Sequence, residues 1–481
     1  MEKPVCPFPD KGTLADDLLE TIRAKRQRDI QWQAGRSFCL IYYPGEEREH
    51  AIKKIFDAYY ADSGLNPTAT PSLAELEAET VSMCASLFNG TAETCGNVTT
   101  GGTESILLAV KTARDYARKT KPHIKKPNVV LPQSAHPAFM KAFHFLEVDF
   151  IATPLNSDYS ADVAAMEKAI NENTIMLVGS APAYAHGVMD NIEAIAALAK
   201  RKNLLCHVDA CIGGFMLPFI KQLGYAVPPF DFSLEGVTSL SADLHKYGYA
   251  PKGSSAILYS NHELRKHQFT LYTKWNGGVY GSPTITGTRN GGCIAAAWAA
   301  LKVIGNEGYM EMAAVTMQVT DKVMKAISEI PELQIISRPV MSMVSFQSHA
   351  IDVYMLADEL NKRGWHFERQ QLPPSLHFTF NYIHHAVADE FIADLKACVE
   401  AVKDKRLKQL GNKVQTAAVK GLSKILPAGT LAKFNKAGAE EIDNENKAAM
   451  YGMMGALSGT DDLEKIVLDF LDNIYTAKPN K

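Results

Sequence analysis

No stretch of this chain is apolar for long enough to cross a bilayer, and the opening "MEKPVCPFPDKG" carries no secretory hydrophobic region. A membrane-spanning or conventionally exported protein is therefore not expected. The eight cysteines, at positions 6, 39, 84, 95, 206, 211, 293 and 398, form no C-x-x-C pair and no metal-finger spacing. In a chain of 481 residues they read as reduced thiols of a soluble, cytoplasmic protein rather than as a disulfide framework. An excess of charge is missing too. The 50 Lys and Arg nearly balance 53 Asp and Glu, so a net charge of −3 gives no basic field for nucleic acid. The chain also lacks internal repeats, low-complexity stretches and a G-x-x-x-x-G-K-[ST] phosphate loop.

What is present is an alternation of strand-like and helix-like segments. "NVVLPQ" (128–133), "TIMLVGSAP" (174–182), "LLCHVDA" (204–210) and "SSAILYS" (254–260) are short β-rich runs, and "FSLEGVTSLSAD" (232–243) reads as a buried strand. Between several of them lie amphipathic patterns such as "SADVAAMEKAINEN" and "NIEAIAALAKRKN". Strands spaced by helices predict an α/β fold with a mostly parallel sheet covered on both faces. A helical segment over 1–60, clearest in "LADDLLETIRAKRQRDIQWQAG", precedes a large α/β domain over 61–305. After about residue 305 a long helix near 307–329 is followed by strand-like "LQIISR" and "MSMVSFQS", helical "DVYMLADELNKRG" and strand-like "SLHFTFNY". That predicts a small α+β domain over 306–481.

In open α/β sheets ligands sit beyond the carboxyl ends of the strands, and four such ends here carry suggestive residues. In "NVTTGGTESILLAVKTARDYA" (97–117), Gly101 and Gly102 permit a close turn before a helix whose free N–H groups suit a phosphate, with Thr103 adding a hydroxyl. A plain tight turn explains the same glycines. In "HVDACIGG" (207–214), Asp209 interrupts an apolar strand, so a cationic partner is expected unless it simply caps a helix or joins a structural ion pair. His207 shares its strand face; Cys206 points to the other face, which argues against a metal site. "QSAHPAF" (133–139) offers His136, and "SADLHKYG" (241–248) offers Ser241, Asp243, His245 and Lys246. Each residue alone is more simply a packed or solvated one.

Together the four segments fit one cofactor, pyridoxal 5'-phosphate. It needs a lysine to bind its aldehyde, a carboxylate on its ring nitrogen, an anion cradle, and commonly a ring stacked on its face. Lys246, Asp209, the Gly101–Gly102–Thr103 turn with Ser241, and His136 fill these roles in that order of need. His245, His207 and a tyrosine are candidate proton carriers.

These residues also carry a resemblance. "VTTGGTESILLAVKTARD", "PQSAHPAF", "HVDACIGGF", "GVTSLSADLHKYGYAPKGSSAILY" and "SPTITGTRNGG" resemble the sphingosine-1-phosphate lyase family, within the fold-type I, aspartate aminotransferase-like enzymes of the group II decarboxylase superfamily. The likeness extends over nearly the whole chain from about residue 60. It implies a seven-stranded sheet in the large domain and retro-aldol cleavage of a phosphorylated sphingoid base into a long-chain aldehyde and phosphoethanolamine. It further implies that Lys252, Tyr184 and Tyr42 hold the substrate phosphate. Gly287 and Thr288 of "TGTRNGG" would reach the cofactor phosphate of a partner subunit, making the active unit a homodimer.

Two departures accompany the likeness. Where the family commonly has a histidine in an "NPLHPD"-like segment, this chain reads "NPTATPSL" (66–73). An apparent insertion spans 405–446, and residues 403–424 hold seven Lys or Arg against one Asp. A solvated helix face is the plainer reading of that run; weak contact with an anionic membrane surface is the other. The membrane anchor of eukaryotic members has no counterpart, so a soluble bacterial-type member is expected, with non-classical export into a host as a secondary possibility. The alternatives are a glutamate- or aromatic-type amino-acid decarboxylase, a lyase or aldolase acting on another phosphorylated amino alcohol, and a non-catalytic lipid-binding relative. Decarboxylases usually carry "N-x-HKW"-like and "DAA" wording where this chain has "LHKYGYAPKG" and "DAC", and a degenerate relative has no physical need for Lys246, Asp209 and His136 together.

Overall fold

The computed structural model describes residues 6, 8–409, 448–456 and 459–476. Seven strands form one sheet: β1 (Cys95–Thr99), β2 (Asn128–Pro132), β3 (Asp149–Thr153), β4 (Thr174–Ser180), β5 (Leu205–Asp209), β6 (Ser239–Ala242) and β7 (Ser255–Tyr259), in the order β1-β7-β6-β5-β4-β2-β3. β1, β2, β4, β6 and β7 are buried along their whole length, which is why they read as unbroken apolar or small-residue runs. β3, at the edge, is largely exposed. β2 to β6 pair in parallel, while β7 runs antiparallel to both β6 and β1. "SSAILYS" is therefore the reversed strand, because no helix separates it from β6 to carry the chain back.

The expected strand over "FSLEGVTSLSAD" shrinks to β6. Its first half is turned by Asp231, whose side chain accepts from Ser233 N and Oγ at 3.0 and 2.7 Å and whose carbonyl accepts from Leu234 N. Helices Gly102–Thr120, Val163–Ala169 and Ile192–Arg201 follow β1, β3 and β4. Asp162 and Asn191 cap the latter two by accepting from Ala165 N and Ala194 N. The consequence for function is directional: β1, β2, β4, β5 and β6 all end at the same edge of the sheet.

Helix Gly291–Ser328 runs on from the sheet and breaks at Gly305, where φ is 61° and ψ 174°; the helix expected over 307–329 is its second half. Beyond it lies an antiparallel sheet of order β10-β11-β13-β12, made of β10 (Gln334–Ile335), β11 (Met343–Gln347), β12 (Glu368–Gln371) and β13 (Pro374–Thr379). Before it, β8 (Thr270–Trp275) and β9 (Gly278–Ser282) form an exposed two-stranded ribbon. The small sheet packs on an aromatic core of Trp365, Phe378, Phe380 and Phe391, into which Phe38 inserts from the N-terminal segment. Phe38 N donates to His366 O at 2.8 Å and Phe38 O accepts from Thr379 N at 2.7 Å, so the first 60 residues are partly an extended strap and not only helical. Helix Ala15–Arg26 buries none of its residues. Among the described residues no helix is long and apolar enough to cross a membrane. Of the expected insertion over 405–446, residues 405–409 complete helix Ala388–Gln409, and 410–446 lie outside the described residues.

Candidate active site

At the shared edge, β1 turns through Thr100 and Gly101 into helix Gly102–Thr120. A Cβ on Gly102 would lie 2.8 and 2.9 Å from the Asp243 carboxylate oxygens and 2.9 Å from Cys211 Sγ; one on Gly101, at φ +153°, would lie 3.1 Å from His245 Cε1. The glycines are thus required by the close approach of the β5 and β6 loops beneath the turn. Above them opens a cavity of about 350 Å³ whose wall includes Gly101, Gly102 and Thr103 from the turn, His136 after β2, Tyr184 after β4, Asp209 and Cys211 from β5, and Asp243, His245 and Lys246 after β6.

Lys246 Nζ lies 3.0 Å from Asp243 Oδ2, and His245 Nε2 3.5 Å from the same oxygen. Burial alone would push the Asp243 carboxyl up, but the Lys246 charge and the His245 hydrogen bond outweigh it and hold it well below the usual carboxylate range. Burial opposes the Lys246 ammonium; Asp243, then Cys211, raises its pKa above the ordinary lysine value. His245 Nδ1 accepts from Gly253 N and Ser254 N at 3.3 and 3.2 Å, which leaves the ring proton on Nε2, facing Asp243.

Asp209 is buried, and its Oδ1 accepts from Cys211 N at 3.1 Å and Ser241 Oγ at 3.5 Å. The cationic partner expected for it is not found: among the described residues no cation forms an ion pair with Asp209. A buried carboxylate on a cavity wall with no cation to meet it suits a ligand that brings its own positive charge, as a protonated pyridine does. His136 Nδ1 accepts from Ala138 N at 3.1 Å, and desolvation at the cavity wall lowers its pKa, so the ring is a neutral, flat wall. The turn, the lysine, the carboxylate and the ring together fit pyridoxal phosphate.

Four expected residues stand off this cavity wall. Ser241 is fully buried and turns to His207 Nε2 (3.3 Å), Asp209 and Cys211 Sγ (3.2 Å), not to the glycine turn. The register pairs Asp209 with Ser241 and His207 with Ser239 across β5 and β6, which fixes this contact. His207 shares the Asp209 face as expected but is sealed off the cavity, its Nδ1 2.9 Å from Ser239 Oγ, and burial lowers its pKa to about 4. Gly287 and Thr288 lie on the Ser282–Asn290 loop, off this cavity wall. Beside the cavity, Lys252 Nζ donates to His245 O at 2.9 Å and sits 5.0 Å over the Tyr42 ring. Desolvation and the like charge of Lys246 lower the Lys252 pKa to about 8. Burial, with Tyr184 and Asp243 nearby, keeps Tyr42 a neutral hydroxyl. The Tyr184 ring packs 4.5 Å from that of buried His377, a β13 residue.

The residue that sequence reasoning missed is Glu104, on the cavity wall in the first helical turn; an acid two residues after the glycine pair was its only local signal. A larger hollow of about 1050 Å³ lies between helix Pro71–Leu87, β1 and the ribbon. "NPTATPSL" contributes Pro67 to that hollow and nothing to the cavity.

A model of the pyridoxal-dependent decarboxylase conserved domain matches residues 39–349. Sphingosine-1-phosphate lyase of Oryza sativa subsp. japonica is 45% identical over 398 residues, covering 81% of this chain and 74% of the relative. A probable L-aspartate decarboxylase of Thermococcus gammatolerans is 36% identical over 361 residues, covering 74% and 91%. Among solved structures, the sphingosine-1-phosphate lyase of Burkholderia pseudomallei superposes with a TM-score of 0.80 at 38% identity, covering 85% of this chain and 96% of that one.

Proposed function

Because this chain belongs to the sphingosine-1-phosphate lyase family, a branch of the pyridoxal-dependent decarboxylases, we infer that it is a pyridoxal phosphate-dependent carbon–carbon lyase. Its reaction splits a phosphorylated long-chain base into a long-chain aldehyde and phosphoethanolamine. The observation that carries this reading is the meeting of Lys246, buried Asp209, His136 and the Gly101–Gly102–Thr103 turn on one cavity wall.

The bound cofactor supplies a sink for the electrons released when the carbon–carbon bond breaks. Lys246 Nζ would hold it in place, Asp209 would keep the proton on its ring nitrogen, and the His136 ring would lie against its face. The N–H groups of the glycine turn and the Thr103 hydroxyl would bind its phosphate. Lys252, Tyr42 and Tyr184 orient the substrate phosphate, an ammonium and two neutral hydroxyls around one anion. That orientation fixes the breaking bond relative to the ring. "NPTATPSL" lacks the family's histidine and adds no residue to the cavity wall. His245, with its proton at Nε2, is the imidazole best set to move a proton at the lysine; His207, closed in by Ser239 and Ser241, is not.

We assign Gly287 and Thr288 to the cofactor phosphate of a partner subunit, so the working unit is a homodimer; their absence from the wall of their own cavity supports this. The division at about 60 and 305 into helical segment, cofactor domain and small domain, a cytoplasmic location, and weak membrane-surface contact through the basic run belong to the same reading. The break at Gly305 supports the second boundary. The test is the visible spectrum of purified protein before and after sphingosine-1-phosphate, with aldehyde release followed. A cofactor band that shifts as aldehyde appears supports the reading. A band with no aldehyde, and carbon dioxide released from an amino acid instead, would make it a decarboxylase.

A further inference from the structure

Glu104 presents a paradox. It is a carboxylate, 7% exposed, in the first turn of the helix whose N-terminus cradles the cofactor phosphate. A negative group there should repel the anion unless its own charge is spent elsewhere. The geometry shows where it is spent. Oε2 accepts from Thr100 N at 2.7 Å and Thr100 Oγ1 at 2.8 Å, within the glycine turn. Oε1 accepts from Ile285 N at 2.8 Å and Thr286 N at 3.3 Å, across 181 residues of sequence. One side chain therefore joins the cradle to the loop that carries Gly287 and Thr288. The far side of that loop is held by other groups: Gln268 Nε2 donates to Pro283 O at 2.6 Å, and Arg289 Nη1 to Glu77 Oε1 at 2.6 Å. Ile285 and Thr286 themselves are exposed; among the described residues Glu104 is the acceptor for both their N–H groups, while Thr284 Oγ1 donates to Thr286 O at 2.8 Å.

We propose that Glu104 is a positioning residue that sets the shape of the Ser282–Asn290 loop from within the cofactor cradle. Its effect on a neighbouring subunit's cofactor rests on the homodimer reading above; its effect on the loop does not. Glutamine at this position keeps the volume but offers one acceptor oxygen and an N–H₂ group that faces an N–H pair, so one arm of the clasp opens. Alanine opens both.

The experiment compares wild-type holoenzyme with Glu104→Gln and Glu104→Ala by amide hydrogen exchange, cofactor dissociation constant and thermal midpoint. Exchange at the amides of Ile285 and Thr286 is expected to rise about tenfold or more in Glu104→Ala, where the charged acceptor is lost, and by less in Glu104→Gln, where at most a neutral acceptor remains. Cofactor affinity is expected to fall about tenfold, on the same magnitude. A general loss of structure would instead raise exchange across β4 and β5 as well, and Glu104→Gln keeps the test open if the alanine variant does not fold. Unchanged exchange at those two amides overturns the proposal. Raised exchange with wild-type cofactor affinity overturns it too, because the loop would then serve nothing at the site. Sedimentation velocity separates the two readings: a monomeric wild-type enzyme with the same exchange and affinity results removes the partner subunit and leaves the clasp.

Discussion

Two ion pairs in this protein have similarly buried carboxylates and opposite surroundings. Arg289 and Glu77 meet at 2.6 Å, and the same Glu77 oxygen accepts from Asn97 Nδ2 and Val98 N at 3.0 Å, while Arg289 Nη2 donates to Gly64 O at 3.1 Å. Lys246 and Asp243 meet at 3.0 Å, and Lys246 opens onto the cavity. The cations differ in kind. A guanidinium stays charged and presents a rigid fork suited to tying segments together; an ammonium can lose its proton and become a nucleophile. The first pair is arranged to stay as it is, and the second to be taken apart.

Removing each pair's working end should separate the two roles. Lys246→Ala is expected to lower aldehyde release by at least about a thousandfold, since the nucleophile itself is gone. Its fold should be retained, with the thermal midpoint lowered because buried Asp243 loses its cation, and its cofactor band should be lost. Retained turnover would end the assignment of Lys246. Glu77→Ala should do the converse. It leaves the Arg289 charge buried without its acid, at a cost of about 3–5 kcal/mol in unfolding free energy. Denaturant unfolding would measure it, and a change below about 1 kcal/mol would mean that the pair is no structural tie.

How much of this was legible before folding follows from which contacts are local. β2, β4 and β5 declared themselves as apolar runs, and the turn, His136, Asp209 and Lys246 each stood at a strand end, so their convergence followed from a parallel sheet. Ser241 did not, because whether it meets the phosphate or Asp209 depends on the pairing of β5 with β6. The Phe38 strap is invisible for the same reason: its partners, His366 and Thr379, lie more than 300 residues away. The β8–β9 ribbon is another matter. Asn276, Gly277 and Gly278 between "TLYTKW" and "VYGS" are a hairpin signal that the sequence carried. The solvent-facing strands, lacking apolar alternation, hid it.

Asp243→Asn sharpens the comparison by keeping shape and removing charge. The depressed Asp243 pKa means that its stabilising contribution is present above the ordinary carboxylate value and is lost as pH falls through the folded value. The raised Lys246 pKa means that its contribution is complete below the ordinary lysine value and is lost as pH rises through the folded one. The pair thus holds across neutral pH. With the anion gone, burial favours the neutral amine, so the pH profile for cofactor capture by the apoenzyme should move towards acid by about one unit or more. An unmoved profile would show that Asp243 does not set the proton affinity of Lys246.

Lys252 supplies the smallest effect and a third case, a cation that makes no ion pair among the described residues and rests on His245 O and the Tyr42 ring. With its pKa lowered to about 8, its charge is present below that pH and fades above it. If it holds the substrate phosphate, the KM for a phosphorylated base should rise as pH passes about 8. Lys252→Ala should raise that KM about ten- to a hundredfold and flatten the pH dependence, the size expected for a charge-assisted contact to an anion. The cofactor dissociation constant should change far less. Steady-state kinetics on phosphorylated and unphosphorylated bases across pH 7 to 9.5 would decide it, because equal losses on both substrates would place Lys252 in support of His245 and not at the phosphate.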